Sequence, residues 1–149
     1  GFNYRIPDIN CALGLSQLKN LRFFIERRKE IAKKYNLAFK NTLIKTPWQN
    51  PDTSSSFHLY PIRLEPTKSK LNRNYLYQKL KEINVGVNIH YIPIYRHSYY
   101  KKMGFKKGYC IEAEKFFQEV ITLPIFPDLS ESNQEFIIEN IKILIKNKI

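Results

Sequence analysis

The pattern that most restricts this chain is an apolar stripe through Leu21, Phe24, Ile25, Arg28, Ile31, Ala32, Tyr35 and Phe39. Its spacing stays close to 3.6 residues, which predicts a long helix with one apolar face. The opposite face carries Glu26, Arg27, Lys29, Glu30 and Lys33. Such a helix must lay its apolar side on something. A chain of 149 residues with 43% hydrophobic content is large enough to supply one core.

The flanking segments suggest what that core contains. Upstream, Pro7 suits the first turn of a helix, where its missing N–H costs nothing, and Ile9, Leu13 and Leu18 begin a shorter stripe reaching Leu21. Downstream, Pro47, Asn50, Pro51, Asp52 and Ser54 to Ser56 form a breaker-rich loop. Residues 57–64 read as a strand, with Pro61 favouring an edge or a bulge. Leu76, Leu80 and Ile83 return to helical spacing over 72–83, closed by Asn84 and Gly86. Val87, Ile89 and Tyr91 predict a second strand. A loop rich in tyrosine and lysine leads to a short helix over 112–119, then a strand over 120–123 stopped by Pro124. The last helix is expected from a Ser132-x-x-Glu135 capping box to Lys146. Three strands and several helices describe a small α+β domain, its first long helix placed to tie it to a partner domain.

Composition narrows the function classes. A net charge of +12 invites a nucleic-acid reading, because basic domains gain affinity by neutralising phosphates. The lysines are scattered, however, at Lys29, Lys33, Lys34, Lys79, Lys81, Lys142 and Lys146, where solvated helix faces put them anyway. The densest pairs, Lys101-Lys102 and Lys106-Lys107, come without any helix-turn-helix, zinc-finger or RRM-type signature. Cys11 and Cys110 are too few for a disulfide framework and lack metal-ligand spacing, so a reduced, cytoplasmic setting and no metal are expected. No apolar run approaches the roughly 18 residues that would span a bilayer. The five glycines form no phosphate-cradling loop.

Four short segments carry more specific information: Gly1-Phe2-Asn3-Tyr4-Arg5, Ser54-Ser55-Ser56-Phe57-His58-Leu59-Tyr60, the 85–94 segment with Asn88-Ile89-His90-Tyr91-Ile92-Pro93, and the 120–127 segment with Thr122-Leu123-Pro124-Ile125-Phe126-Pro127. Taken singly, Asn3 is a turn cap, Arg5 a surface charge and His90 an ordinary strand histidine. Together and in this order they resemble the DegT-type sugar aminotransferases, which use pyridoxal phosphate. The match is nearest to the PseC-like enzymes that aminate UDP-linked 4-keto-6-deoxy sugars.

The resemblance implies a fold and a set of roles. Residues 1–149 would be the C-terminal small domain of a fold-type-I transferase, with a three-stranded, mainly antiparallel sheet, helices packed on one side and an inter-domain helical stretch over 7–42. The lysine that holds the cofactor would lie upstream of Gly1, leaving no catalytic residue here and these residues inactive alone. Asn3 would donate to the cofactor phosphate across a homodimer interface, and Arg5 would meet the diphosphate of the nucleotide sugar. His90, Tyr91 and Tyr95 would stand on the substrate side. Glutamate would donate the nitrogen, and the product would serve surface polysaccharide or glycan synthesis. The sequence departs from the pattern at Tyr95, where a second histidine is usual, at Ser98, where proline is usual, and at Asn10-Cys11, where Gln-Ala is usual. Tyr95, Tyr99, Tyr100 and Tyr109 suit either an aromatic wall for a uracil or sugar ring or plain loop packing; alternation sets His58 opposite its apolar neighbours, toward solvent or a helix, and His97 has no partner legible in sequence. A stand-alone basic module for an acidic partner is the rival reading.

Generic duplex DNA should bind weakly and be released steeply as salt rises, because the positive charge is spread over several elements. Fluorescence anisotropy against salt measures this, and sequence-specific binding that survives near-physiological salt would restore the rival.

Overall fold

The computed structural model describes residues 4–64 and 72–146. The stretch expected to be helical over 7–42 forms two helices, α1 (Asp8–Leu18) and α2 (Leu21–Phe39), separated by a turn at Lys19 and Asn20. The Asn20 carbonyl accepts from Phe24 N at 3.0 Å and so begins α2. Lys40, at ψ 134°, leaves the helical region and ends it.

The sheet has the order β1 (Ile44–Lys45), β2 (Tyr60–Leu64), β3 (Val120–Leu123), antiparallel throughout. The register pairs Tyr60 with Leu123 and Ile62 with Ile121, which places these four side chains on one face. That face meets the apolar stripe of α2 (Ile31, Ala32, Tyr35, Phe39), Leu76 and Leu80 of α3 (Arg73–Glu82), and Ile137, Ile138, Ile141 and Ile145 of α6 (Glu131–Lys146). The core therefore lies between the sheet and three helices, as expected. The other face is not bare. Arg63 there pairs with the buried Glu119 at 2.6 Å and lies 5.6 Å over the Phe116 ring, both from α5 (Ile111–Glu119).

Polar groups inside this core are matched. Tyr35 Oη donates to the Pro124 carbonyl at 3.1 Å, and Tyr60 Oη donates to Asn36 Oδ1. Burial pushes both phenol pKa values up, with neighbouring Tyr35 adding to the effect on Tyr60. Gln134, buried on α6, donates from Nε2 to the Ile31 carbonyl at 2.8 Å and so fastens α6 to α2.

Several local expectations are corrected. The strand expected over 57–64 begins only at Tyr60, because Phe57 sits at φ 47° and cannot continue an extended chain. Pro61 lies in the middle strand, yet costs no bond. Thr122 exchanges both backbone hydrogen bonds with Asn88, so Pro61, opposite Thr122, occupies a non-hydrogen-bonded position. The strand expected around 87–91 reduces to that one bridge at Asn88, whose Oδ1 accepts the Ile89 N–H at 2.8 Å on the side away from β3. The third strand is instead the two-residue β1. Asn84, at φ 60°, closes α3 with Val85 N on the Leu80 carbonyl and Asn84 N on the Lys81 carbonyl, a Schellman pattern. Ser130, not Ser132, caps α6, accepting from Asn133 N at 3.2 Å. The tyrosine- and lysine-rich loop contains a 3-10 turn (Ile94–Arg96) and the short helix α4 (Ser98–Lys102).

Ile62 is fully buried at the centre of the sheet. Ile62→Ala should cost about 2–5 kcal/mol of stability, through lost transfer energy and the cavity left behind. Urea denaturation should show a lower midpoint with little change in slope.

Candidate functional site

Three of the four motif segments meet on β3. Tyr60, from the serine-rich segment, pairs with Leu123. Asn88, two residues before His90, exchanges backbone hydrogen bonds with Thr122 at 2.8 and 3.2 Å. Arg28 of α2 completes the gathering: its Nη1 donates to the carbonyls of Phe57, His58 and Ile125 at 3.3–3.5 Å. One guanidinium thus holds the turn before β2 and the turn after β3 against the same helix. A cleft of about 400 Å³ opens beside it, between Leu21, Arg22 and Ile25 of α2 and Ser54 to Ser56.

His90 is the best-defined polar group of this assembly. It is half-buried, and its Nδ1 lies 3.0 Å from Thr122 Oγ1. Thr122 is the one hydroxyl in an otherwise apolar, wholly buried strand. With Nδ1 engaged, Nε2 is left as the ring nitrogen for another partner, donor or acceptor according to tautomer. The Tyr91 ring meets the His90 ring edge-on, with centroids 4.5 Å apart, and is 68% exposed. The peptide bond between them is cis.

The remaining expected residues are distributed unequally. Asn3 lies outside the described residues. Arg5 is exposed in the lead-in to α1, and no hydrogen bond or ion pair links it to His90 or Tyr91. Tyr95 is only 7% exposed, and its hydroxyl lies 3.1 Å from Glu114 Oε1 and 3.0 Å from the Cys110 carbonyl. Its polar end is turned to the protein. His58 and His97 are exposed. Sequence reasoning missed Thr122, whose signal was a lone hydroxyl in an apolar strand. It also missed Glu114, which carries no periodicity signal at all.

Among the described residues, the helix that precedes these segments has no buried side chain. Ile9, Leu13, Leu15 and Leu18 of α1 are each at least 60% exposed. Apolar groups all round a helix call for cover on more than one side. Among the described residues no lysine is buried, so none occupies the kind of dehydrated pocket that lowers an amine's pKa for Schiff-base chemistry. No helix among the described residues is long and apolar enough to cross a membrane.

The sequence pattern of the DegT/DnrJ/EryC1/StrS aminotransferases matches residues 1–142. The chain belongs to that family. A UDP-4-amino-4,6-dideoxy-N-acetyl-beta-L-altrosamine transaminase of Campylobacter jejuni is 35% identical over 138 residues, which are 92% of this chain and 36% of that protein. Among solved structures, Spr1654 of Streptococcus pneumoniae, described as a sugar aminotransferase, superposes with a TM-score of 0.87 at 32% identity, covering 96% of this chain and 36% of its own. It has been solved in PLP and PMP forms. PseC of Helicobacter pylori, an aminotransferase of pseudoaminic acid biosynthesis, superposes with a TM-score of 0.86 at 28% identity, covering 99% of this chain and 39% of its own. The chain thus spans little more than a third of the length of the relatives it matches. The expected fold, a small α+β domain of a PLP-dependent sugar aminotransferase, agrees with these superpositions.

Proposed function

We propose that these residues form the small C-terminal domain, with its inter-domain helices, of a PLP-dependent transaminase acting on nucleotide-linked sugars. The amino group would pass from glutamate to a keto group, most fittingly on a UDP-linked 4-keto-6-deoxy sugar, for surface polysaccharide or glycan synthesis. The observation that carries the reading is the convergence of three motif segments on β3, which fixes His90 through Thr122 while Tyr91 stands exposed beside it. The named activity of the Campylobacter relative supports the substrate class.

The division of labour follows from side-chain chemistry. Asn3 serves the cofactor phosphate, because an amide N–H₂ donates to a phosphate oxygen without adding charge. Arg5 serves the diphosphate of the substrate with a charge-assisted bond. His90 offers Nε2 to a sugar hydroxyl or carbonyl, held in orientation by Thr122 at Nδ1. Tyr91 offers an apolar ring with a polar tip. Tyr95 contributes through the loop it anchors, since its hydroxyl is already engaged. Pyridoxal phosphate, when bound, stores the nitrogen and acts as electron sink, with its Schiff-base lysine supplied by residues other than those described here. The exposed apolar residues of α1 support a place for α1 against the large domain and a second subunit, as in a homodimer.

Two substitutions in the enzyme carrying this segment separate the roles. Asn3→Ala should weaken cofactor affinity roughly tenfold to a hundredfold, since one hydrogen bond to a charged group is worth about 1.5–3 kcal/mol. Arg5→Ala should instead raise the nucleotide-sugar KM more than it loosens the cofactor. Cofactor titration and steady-state kinetics on both variants measure this. Parent-like cofactor affinity in Asn3→Ala would reduce Asn3 to a turn residue.

A further inference from the structure

The 93–110 stretch follows the His90–Tyr91 edge and leads into α5. It carries a run of packed rings: Tyr99 on Tyr100 at 5.3 Å, Tyr100 on Phe105 at 6.1 Å, Phe105 on Tyr109 at 5.0 Å and Tyr109 on Tyr95 at 5.6 Å. Lys101, Lys102, Lys106 and Lys107 lie among them, all exposed. Tyr99 and Tyr109 are exposed as well. No sheet ladder runs through this stretch, and its rings lie outside the main core. Something else must hold it in one shape.

That something is a carboxylate. Glu114, in the first turn of α5, is only 8% exposed. Its Oε1 accepts from Gly108 N at 3.0 Å and lies 3.1 Å from Tyr95 Oη. Its Oε2 accepts from Arg96 Nη1 at 3.3 Å. Tyr95 and Arg96 open the stretch and Gly108 nearly closes it, so one side chain grips both ends. Gly108 stands at φ 90°, a conformation that L side chains rarely adopt, and this fits its N–H being turned inward to the carboxylate. Arg96 is braced in turn on the Phe117 ring at 5.2 Å, which Arg73 of α3 also approaches at 5.4 Å.

We propose that Glu114 is a positioning residue, a latch that fixes the tyrosine- and lysine-bearing loop so that it can receive the nucleotide end of the substrate. The substrate half of this inference rests on the aminotransferase reading above, whereas the latch itself does not. Exposed rings and lysines suit a base and a diphosphate only if their spacing is fixed beforehand, because ordering a loop at the moment of binding weakens binding. The groups facing Glu114 are the Gly108 N–H, the Tyr95 hydroxyl, the Arg96 guanidinium and the Lys107 ammonium, while Arg73 shares the Phe117 ring. The Gly108 N–H, and then Tyr95, Arg96 and Lys107, hold the carboxyl below its ordinary range despite burial. The latch is therefore complete at neutral pH and is lost as pH falls through that depressed value.

Amide hydrogen exchange on this chain tests the latch. In the parent, Gly108 N–H should be protected, and protection should fall at acid pH while the Thr122 N–H, bonded to Asn88 within the sheet, keeps its own. Glu114→Ala should speed Gly108 exchange about tenfold or more and leave Thr122 unchanged. If that variant does not fold, Glu114→Gln and Tyr95→Phe keep the side-chain volume and should show the same local loss in smaller degree. Unchanged Gly108 exchange in the folded variants would overturn the latch. In the enzyme carrying this segment, Glu114→Gln should raise the nucleotide-sugar KM roughly tenfold, with kcat and the KM for glutamate nearly constant. A loosened loop with an unchanged nucleotide-sugar KM would overturn the substrate role. A parent enzyme that takes no nitrogen from glutamate would instead sink the aminotransferase reading and leave the exchange result standing.

Discussion

The structure depends on β3 being buried along its whole length. All four residues, Val120 to Leu123, are excluded from solvent, so every backbone group of that strand needs a partner within the protein. β2 supplies one side of the ladder and Asn88 the other. The two demands bring together segments some 60 residues apart in sequence and leave His90 beside Thr122. At either end of the strand a polar contact fixes its placement: Glu119 to Arg63 before it, and the Pro124 carbonyl to Tyr35 after it. The same satisfaction of backbone and side-chain groups that makes the core stable also draws the motif segments to one sheet edge.

Much of this was legible because it follows from period and local chemistry. The stripe from Leu21 to Phe39 predicts the helix on which the sheet rests, and its C-terminal half is the buried half. Leu76 and Leu80 predict α3, and Asn84 ends it in the left-handed region as a helix-closing residue should. What escaped depends on competition between alternatives that a single sequence does not rank. The alternation of Val87, Ile89 and Tyr91 promises a strand, but only Asn88 pairs with β3 and the ladder stops after one bridge. Phe57 belongs by type in a strand, yet Arg28 holds its carbonyl and its φ is positive. β1 is two residues long and carries no pattern to find.

The candidate site divides in the same way. His90 and Tyr91 stood out through the motif around them, whereas their support, Thr122, comes from a strand more than 30 residues on. Glu114 had no signal, since an acidic residue in a short helix normally faces water, and only the fold turns it inward. Tyr95 was expected at the substrate and is found with its hydroxyl held by that carboxylate. The α1 helix presents the converse case: its apolar residues were read as a stripe seeking a core, and within these residues that core does not include them. The exposed apolar residues of α1 are the observation behind the proposed contact of this helix with a large domain.

The most direct test follows the nitrogen atom. The enzyme carrying this segment, supplied with pyridoxal phosphate, glutamate labelled in its amino nitrogen and a UDP-linked 4-keto-6-deoxy sugar, should place the label on the sugar, read by mass spectrometry of the nucleotide product. Label that stays on glutamate with every nucleotide-linked keto sugar offered, while the protein is folded and holds its cofactor, would contradict the account.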